Sequence, residues 1–342
     1  MIYCSLIVII IQWRKLESTH WSIMMIKKLL ISTFLIFSIP AIAAAQGAVD
    51  LTPKFIEGKS YQYETEADIS ALQKMPGNLG CDIRYKGNIK SRLHYKVNKV
   101  FEDQNAEIAV TLINPEVKFS IICEGSDSPM NFDIHFDSAQ KPENELSEFQ
   151  AARAVLDCLD QSTFVFKVTP KGKVLESSGI ESFTKNMNEE LSENNHIPEG
   201  ASQSICSWVK PEYAETFISL ITQFLPESPV NVGDSWESVF EAGNFNITQN
   251  WHLASADQNR VVIKERTPLD LGKNNDEMFK LDKFSGEQQS QLTLEAEDNW
   301  VLSTETQAEF HGRQSLNAPF SDKPLEIETS IEAKFNFKRL DL

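Results

Sequence analysis

The stretch LEIETSIEAKFNFK, residues 325–338, alternates between apolar and polar residues along its length. Successive side chains of a β-strand point to opposite faces of the sheet, so this pattern predicts a long strand with one dry face and one wet face. The dry face would carry Leu325, Ile327, Thr329, Ile331, Ala333, Phe335 and Phe337, and the wet face Glu326, Glu328, Ser330, Glu332, Lys334, Asn336 and Lys338. Antiparallel sheets commonly have one face on the core and one in water, so the stretch favours an antiparallel sheet.

Shorter alternating segments recur along the chain. They lie at residues 108–112, 117–121, 132–136, 164–168, 289–298 and 301–312. The last two predict a hairpin around Asn299 and Trp300. The segment KVTPKGKVLES, residues 167–177, predicts a tight hairpin, because Pro170 and Gly172 are residue types that suit turn positions.

Three amphipathic helices are predicted between the strands, over residues 143–160, 179–193 and 210–226. Each places its apolar residues at helical spacing, which suits a helix that packs on a sheet. The order of strands, helix, hairpin, helices and strands predicts an α+β fold that is mainly β. We expect a curved antiparallel sheet or half-barrel with two to three amphipathic helices packed on it.

The N-terminal region has the order of a secretory signal peptide. Lys27 and Lys28 precede an apolar run from Leu29 to Ile39, and small residues follow up to Ala45. The run is too short to span ~30 Å of hydrocarbon, so no stable membrane anchor is expected after cleavage. We therefore predict a misassigned extension at residues 1–24, a signal peptide at 25–45, and a single exported domain at 46–342, in the periplasm or outside the cell.

The formal net charge of the chain is −17. A charge this negative repels phosphate backbones and anionic membrane surfaces. The composition therefore argues against nucleic acid as a partner.

Four cysteines remain after the predicted leader: Cys81, Cys123, Cys158 and Cys206. An even number in an exported chain favours two disulfides, although four cysteines allow three pairings. We prefer Cys81–Cys123 and Cys158–Cys206, because each bond would join neighbouring segments. Each would contribute roughly 3–4 kcal/mol on the chain-entropy model. Four free thiols are the alternative.

The segment VNVGDSWES, residues 230–238, resembles the nucleophile block of a GDSL-type esterase at Gly233-Asp234-Ser235. That family ends in an Asp-x-x-His pair, but neither His252 nor His311 follows an Asp at that spacing. A serine nucleophile needs a base that is oriented by a third group, and the sequence shows no such set. Asp and Ser also stabilise turns, so we predict a turn that opens a strand near Trp236.

A second resemblance covers the same region. The segment Pro-Val-x-Val-Gly-Asp-x-Trp, residues 229–236, together with VFKVTPKGKVLESSGIESF, residues 165–183, resembles a family of uncharacterised exported bacterial proteins. The resemblance extends over roughly residues 50–342. It implies a secreted, mostly β protein, and it implies no catalytic residues.

The segment NFDIHFD contains one weak candidate for a metal site. Asp133, His135 and Asp137 alternate along a predicted strand, and carboxylate and imidazole groups are common ligands of divalent ions. The alternative is a solvated polar face opposite Phe132, Ile134 and Phe136, and we favour it. No metal and no cofactor is therefore expected.

The sequence favours an exported, non-catalytic protein of the bacterial envelope that binds a hydrophobic ligand or a protein partner. Such a partner would be a lipid, a peptide or an envelope protein. The 21 phenylalanines suit an apolar ligand site, although they equally suit a filled core. A structural or assembly factor of the envelope is the alternative function, and a GDSL-like hydrolase is a third.

Overall fold

The computed structural model describes residues 47–75, 82–124, 131–138, 150–193, 211–242, 245–271, 274–275, 279–316 and 325–340. Its strands are β1 (Ser60–Lys74), β2 (Asp82–Val100), β3 (Ala106–Glu124), β4 (Asn131–Asp137), β5 (Thr163–Val168), β6 (Val174–Ser178), β7 (Ser235–Ala242), β8 (Phe245–Ala256), β9 (Arg260–Leu271), β10 (Asn274–Asn275), β11 (Phe279–Glu295), β12 (Val301–Leu316) and β13 (Leu325–Arg339). Its helices are α1 (Gln150–Leu159), α2 (Ile180–Glu193) and α3 (Pro211–Thr222).

All of these strands belong to one sheet, in the order β6-β5-β3-β2-β1-β13-β12-β11-β9-β8-β7. The pairs between these neighbours are antiparallel. Strand β4 pairs with β3, and the short β10 pairs with β11. The end strands β6 and β7 do not pair with each other, so the sheet formed by the described strands is open. The predicted curved antiparallel sheet with helices packed on it is confirmed.

The sheet has two chemically different faces. The helix face carries the odd-numbered residues of β1 and β2, such as Tyr63 and Tyr95, which are fully buried. The polar face carries the even-numbered residues of the same strands, such as Glu64 and Lys96, which are exposed. Strand β13 follows the predicted alternation, because Ile327 and Phe337 are fully buried while their neighbours of even number are largely exposed.

The helices pack on the helix face through apolar side chains. Phe164 of β5 contacts Phe183 of α2 and Phe217 of α3, with ring centroids 5.9 and 5.8 Å apart. The hydroxyl of Tyr95 donates to the backbone carbonyl of Phe217 at 2.8 Å. Burial of such side chains contributes roughly 1.5–3 kcal/mol each, so this face holds the main core of the fold.

Aromatic rings fill the centre of the helix face. Tyr61 stacks on Trp300 with centroids 3.9 Å apart, and Tyr63 stacks on Phe337 at 4.2 Å. Tyr95 meets the rings of Trp300 and Phe337 edge-on. These five side chains are at most 2% exposed, so together they form the centre of the core.

A buried carboxylate joins the start of β1 to the β11–β12 turn. Asp298, in the β11–β12 turn, accepts from the Nζ of Lys59 at 2.6 Å, the hydroxyl of Tyr61 at 2.8 Å and the backbone N–H of Trp300 at 3.0 Å. Burial acts to raise the pKa of the Asp298 carboxyl, but these hydrogen bonds outweigh it and hold the pKa below its usual value. Asn299 adopts φ of 59° and donates to the carbonyls of Asp50 and Thr52.

A polar belt crosses the helix face between two apolar clusters. Glu265, Ser290 and Thr306 are register partners on β9, β11 and β12. Glu265 is 3% exposed and accepts hydrogen bonds from Ser290 and Gln288. Burial raises the pKa of the Glu265 carboxyl, and the hydrogen bonds that it accepts offset only part of that rise.

Most predicted elements are confirmed. The three helices form, although residues 143–149 and 210 of their predicted ranges lie outside the described residues. Gly172 turns the β5–β6 hairpin with φ of 80°. The segments at 108–112 and 117–121, which we expected as separate patterns, are one strand, β3, because Asn114 adopts φ of 49° and shifts the alternation without ending the pairing. The predicted extension and signal peptide lie outside the described residues.

In the part of the chain that the structure describes, no helix is both long and apolar enough to cross a membrane.

We expect Asp298→Ala to lower the free energy of unfolding by about 2–4 kcal/mol, because it leaves Tyr61, Lys59 and the Trp300 N–H without their acceptor. Urea unfolding at neutral pH would measure the loss. Glu297→Ala is the matched control, since Glu297 is the exposed neighbouring carboxylate, and it should change stability by less than about 0.5 kcal/mol. Equal effects of the two substitutions would contradict this account of Asp298.

We expect Glu265→Gln to change how stability depends on pH. Because the pKa of Glu265 is raised in the folded state, its contribution is full below the unfolded carboxyl pKa and is lost as the pH rises through the folded value. As the pH rises above the unfolded carboxyl pKa of about 4.3, the wild type should therefore lose stability relative to the variant. Urea unfolding at a series of pH values from about 4 upward would measure the free energy of unfolding of both proteins. Glu305→Gln, on the polar face, is the control. Parallel curves for wild type and Glu265→Gln would contradict the prediction.

Candidate functional site

The weak metal candidate consists of Asp133, His135 and Asp137, which lie on β4. The hydrogen bonds of these residues to neighbouring elements show whether they are free to bind a metal ion. The imidazole Nε2 of His135 lies 2.9 Å from Oε1 of Glu116 on β3. The hydrogen bond from Lys118, followed by that from His135, holds the pKa of the Glu116 carboxyl below its usual range although burial acts to raise it. The ring of His135 is therefore paired with a neighbouring carboxylate.

The backbone carbonyl of Asp137 accepts from Nη1 of Arg153 on α1 at 2.5 Å. Among the described residues, no group of three or more His, Cys, Asp or Glu side chains could hold a metal ion. Asp133, His135 and Asp137 do not converge, since they follow one another along a single strand.

Asp133 and His135 nevertheless line a groove of about 660 Å³ on the polar face, which we name groove 1. It crosses β4, β3, β2, β1 and β13. The lining side chains are Asp68, Ser70, Lys86, Asn88, Lys118, Ser120, Asp133, His135, Glu332 and Lys334.

Strand register explains the shape of groove 1. One wall is the row His135, Lys118, Asn88, Asp68 and Lys334, in which each residue is the cross-strand partner of the next. The other wall is the parallel row Asp133, Ser120, Lys86, Ser70 and Glu332. Between the rows lie Phe119, Gly87 and Ile69. The side chains of Phe119 and Ile69 point to the helix face and Gly87 has none, so the backbone of these residues forms the floor of groove 1.

The walls of groove 1 carry charges of both signs. Lys118 is paired with Glu116 at 2.6 Å, and Asp68 accepts from the side-chain amide of Asn88 at 2.8 Å. Lys86 and Lys334 are exposed and form no ion pair with any described residue. Both lysines lack an ion pair to a described residue, although Asp68 is the cross-strand neighbour of Lys334. They are therefore available to a ligand that carries acidic groups.

The segment around Ser235 forms the predicted turn. Gly233 adopts φ of 98°, the N–H of Asp234 donates to the carbonyl of Asn231, and the carboxylate of Asp234 accepts from the N–H of Asn231 at 2.7 Å. Strand β7 then begins at Ser235. The indole N–H of Trp236 donates to the carbonyl of Phe224 at 2.8 Å, so Trp236 is held against the core.

The structure also brings together two residues that the sequence did not. Ser235 and His252 are cross-strand partners on β7 and β8, and Oγ of Ser235 lies 3.4 Å from Nδ1 of His252. The next residue across from His252 is Lys264 on β9. Within the described part of the chain, no carboxylate hydrogen-bonds to His252, so the pair has no third group that would orient the imidazole.

The cysteine predictions have mixed outcomes. Cys123 on β3 is disulfide-bonded, but Cys81 lies outside the described residues, so its pairing with Cys123 stays a prediction. Cys158 on α1 is a free thiol, and the preferred Cys158–Cys206 bond is therefore wrong in this structure; Cys206 itself lies outside the described residues. Burial raises the pKa of the Cys158 thiol to about 11, which disfavours the reactive thiolate.

Sequence analysis found only the β4 part of groove 1. The alternation of Arg84, Lys86, Lys90, Arg92 and Lys96 with apolar residues is a period-2 pattern that predicts the solvated face of β2. This pattern is enough to place Lys86 on the solvated face from the sequence. No sequence signal pairs Lys86 with Ser70 or Asp68 with Lys334, because those neighbours follow from strand order alone.

Three solved structures to which this chain is similar are lipovitellin, OccK7 (OpdD) of Pseudomonas aeruginosa and DynF of Micromonospora chersina. For lipovitellin, the identity is 10% and the TM-score 0.39, with 82% of this chain and 25% of that chain covered. For OccK7, the identity is 7% and the TM-score 0.20, with 83% of this chain and 100% of that chain covered. For DynF, the identity is 10% and the TM-score 0.15, with 91% of this chain and 95% of that chain covered. All three TM-scores are below 0.5, so these likenesses indicate neither a fold family nor a function for this chain. The chain spans about a quarter of the length of lipovitellin.

No curated protein matches this chain significantly. A family model does match it, over residues 103–301, which is more than half of the chain. The matched segment contains β3 to β11 and all three helices, together with the Ser235 turn. The chain therefore belongs to the family of unknown function DUF6263.

Proposed function

We propose that this chain is an exported, non-catalytic binding protein of the bacterial envelope that holds a polypeptide partner in groove 1. The observation that carries the proposal is the pair of exposed lysines, Lys86 and Lys334, which form no ion pair with a described residue although Asp68 is the cross-strand neighbour of Lys334. The leader at residues 25–45 supports export, and membership of a family without assigned chemistry is compatible with a binding role.

The chemistry of groove 1 favours a polypeptide over a lipid. Its floor is sheet backbone, and its walls carry lysines, carboxylates, amides and hydroxyls. A lipid tail would cover these charged and hydrogen-bonding groups without pairing them, which is unfavourable. A polypeptide offers both charge signs and many hydrogen-bonding groups, so it can complement such walls.

The packing of the helix face supports the same choice. The rings of Tyr61, Trp300, Tyr63 and Phe337 stack on one another at centroid distances of about 4 Å. Aromatic side chains in such contact fill a core rather than line a ligand chamber. The hydrophobic-ligand version of the hypothesis is therefore the weaker one.

Site-specific photo-crosslinking tests the proposal. A photo-reactive residue at Ser120, inside groove 1, should capture one envelope protein when the chain is exported in its native host, whereas the same residue at Gln62, on the polar face outside the groove, should not. The captured protein would then be purified and its binding to the mature chain measured. Charge reversal by Lys86→Glu with Lys334→Glu should weaken this binding at least about tenfold, because each change removes an attraction and adds a repulsion.

Lys338→Glu is the matched control, since Lys338 lies on the polar face of β13 but not in groove 1. It should leave the affinity within about twofold of wild type. An equal loss in the control, or no loss in the double variant, would refute the role of groove 1. A large complex that purifies in fixed stoichiometry would instead favour the alternative of an assembly factor.

A hydrolase remains the second candidate, because Ser235 lies 3.4 Å from His252. We expect Ser235→Ala to leave any hydrolysis of p-nitrophenyl acetate by the purified chain unchanged, since no carboxylate of a described residue orients the imidazole. Ser330→Ala, at a serine of the polar face without these contacts, is the control. A fall of roughly a thousandfold or more in Ser235→Ala alone would establish a nucleophile and refute the non-catalytic proposal.

A further inference from the structure

A second groove, of about 580 Å³, lies on the polar face at the opposite end of the sheet; we name it groove 2. It begins at the edge strand β7 and crosses β8 and β9 to β11. The lining residues are Ser235, Trp236, Glu237, Asn250, Trp251, His252, Lys264, Glu265, Arg266 and Gln289.

Groove 2 is built in the same way as groove 1. One wall is the row Ser235, His252 and Lys264, in direct cross-strand register. The other wall contains Glu237 with its partner Asn250, and Arg266 with its partner Gln289. Trp236, Trp251 and Glu265 form the middle row, and their side chains point to the helix face, so the floor of the groove is backbone.

The first wall holds a positive charge that is not paired with a described acidic group. The side chain of Lys264 is exposed and forms no ion pair or hydrogen bond with any residue that the structure describes. Directly across from it stands the imidazole of His252. Cross-strand neighbours have Cβ atoms about 4.5–5.5 Å apart, so the two side chains stand next to each other in this wall.

Two of the acidic groups nearby, Glu287 and Glu265, are engaged elsewhere, and the third, Glu237 on β7, lies two strands away from Lys264. Glu287 pairs with Arg266 at 2.8 Å. The carboxylate of Glu265 lies on the helix face, where it accepts from Ser290 and Gln288. Glu237 stands at the edge strand, in the other wall. The Lys264 end of groove 2 is thus a positive position, lined by donors, in a chain of net charge −17.

We infer that groove 2 is a binding site for the phosphate group of a soluble small molecule. In this site Lys264 supplies the charge, and Ser235, Asn250 and Gln289 supply uncharged donors. A lysine ammonium binds phosphate as a point charge, and a phosphate oxygen accepts several hydrogen bonds at once. The volume leaves room for the organic part of a phosphomonoester beside the phosphate.

A soluble molecule suits groove 2 better than a lipid headgroup does. The negative charge of the whole chain opposes approach to an anionic membrane surface, whereas a small anion can reach a local positive site. This inference is independent of the polypeptide partner in groove 1, because the two grooves share no residue.

Titration calorimetry of the mature chain with inorganic phosphate, at constant ionic strength in chloride, tests the inference. Wild type should bind one phosphate with a Kd in the millimolar range or tighter. Lys264→Met should weaken binding at least about tenfold, and Ser235→Ala should weaken it severalfold, because each removes one contact. Lys338→Met, which removes an exposed lysine of the same face outside the groove, should bind as wild type does.

Acetate and anionic vesicles provide further arms. Acetate should bind more weakly than phosphate, because it carries less charge and fewer acceptor oxygens. The absence of saturable phosphate binding would overturn the inference, as would equal binding by Lys264→Met and wild type. Binding through Lys264 to phosphatidylglycerol vesicles without binding to inorganic phosphate would overturn it too, since the site would then serve a membrane surface.

Discussion

The pairing of the first strand with the last one organises this protein. Strands β1 and β13 lie in the middle of the sheet and are paired over twelve residues, from Tyr63 opposite Arg339 to Lys74 opposite Glu328. Asp298 fixes one end of this region, because Lys59 and Tyr61 bind its carboxylate just before and within β1. Each half of the sheet grows outward from this pair. Without it, the chain would be two separate antiparallel halves whose helix faces could not form one core.

The family match and the sheet order together show which parts of the molecule are outside the family pattern. The matched segment, residues 103–301, contains the helices and the outer strands of both halves. Strands β1, β2 and β13, at the centre, lie outside it, and so does β12 beyond its first residue, Val301. Groove 1 takes most of its walls from those three strands, whereas groove 2 lies inside the matched segment.

Both grooves arise from one geometric rule, since in each case two polar rows stand on either side of a row that points to the core. The rule needs long strands with strict alternation, and these strands run to 19 residues. The same alternation explains the polar belt, because Glu265, Ser290 and Thr306 form a row of polar residues that points to the helix face instead of the polar face. Polar groups on the helix face need partners from neighbouring strands, and Ser290 and Gln288 provide them.

Much of the local structure followed from the sequence alone. Alternation predicted β13 and its two faces, helical spacing predicted α1 to α3, and turn residues predicted the bends at Gly172, Gly233 and Asn299. These features depend on neighbours a few residues apart, so the sequence contains them. Tertiary structure alone decided that β13 pairs with β1, that Ser235 meets His252, and that Cys158 stays a thiol. Such contacts join residues far apart in the chain, and strand order, which depends on the packing of the whole core, determines them.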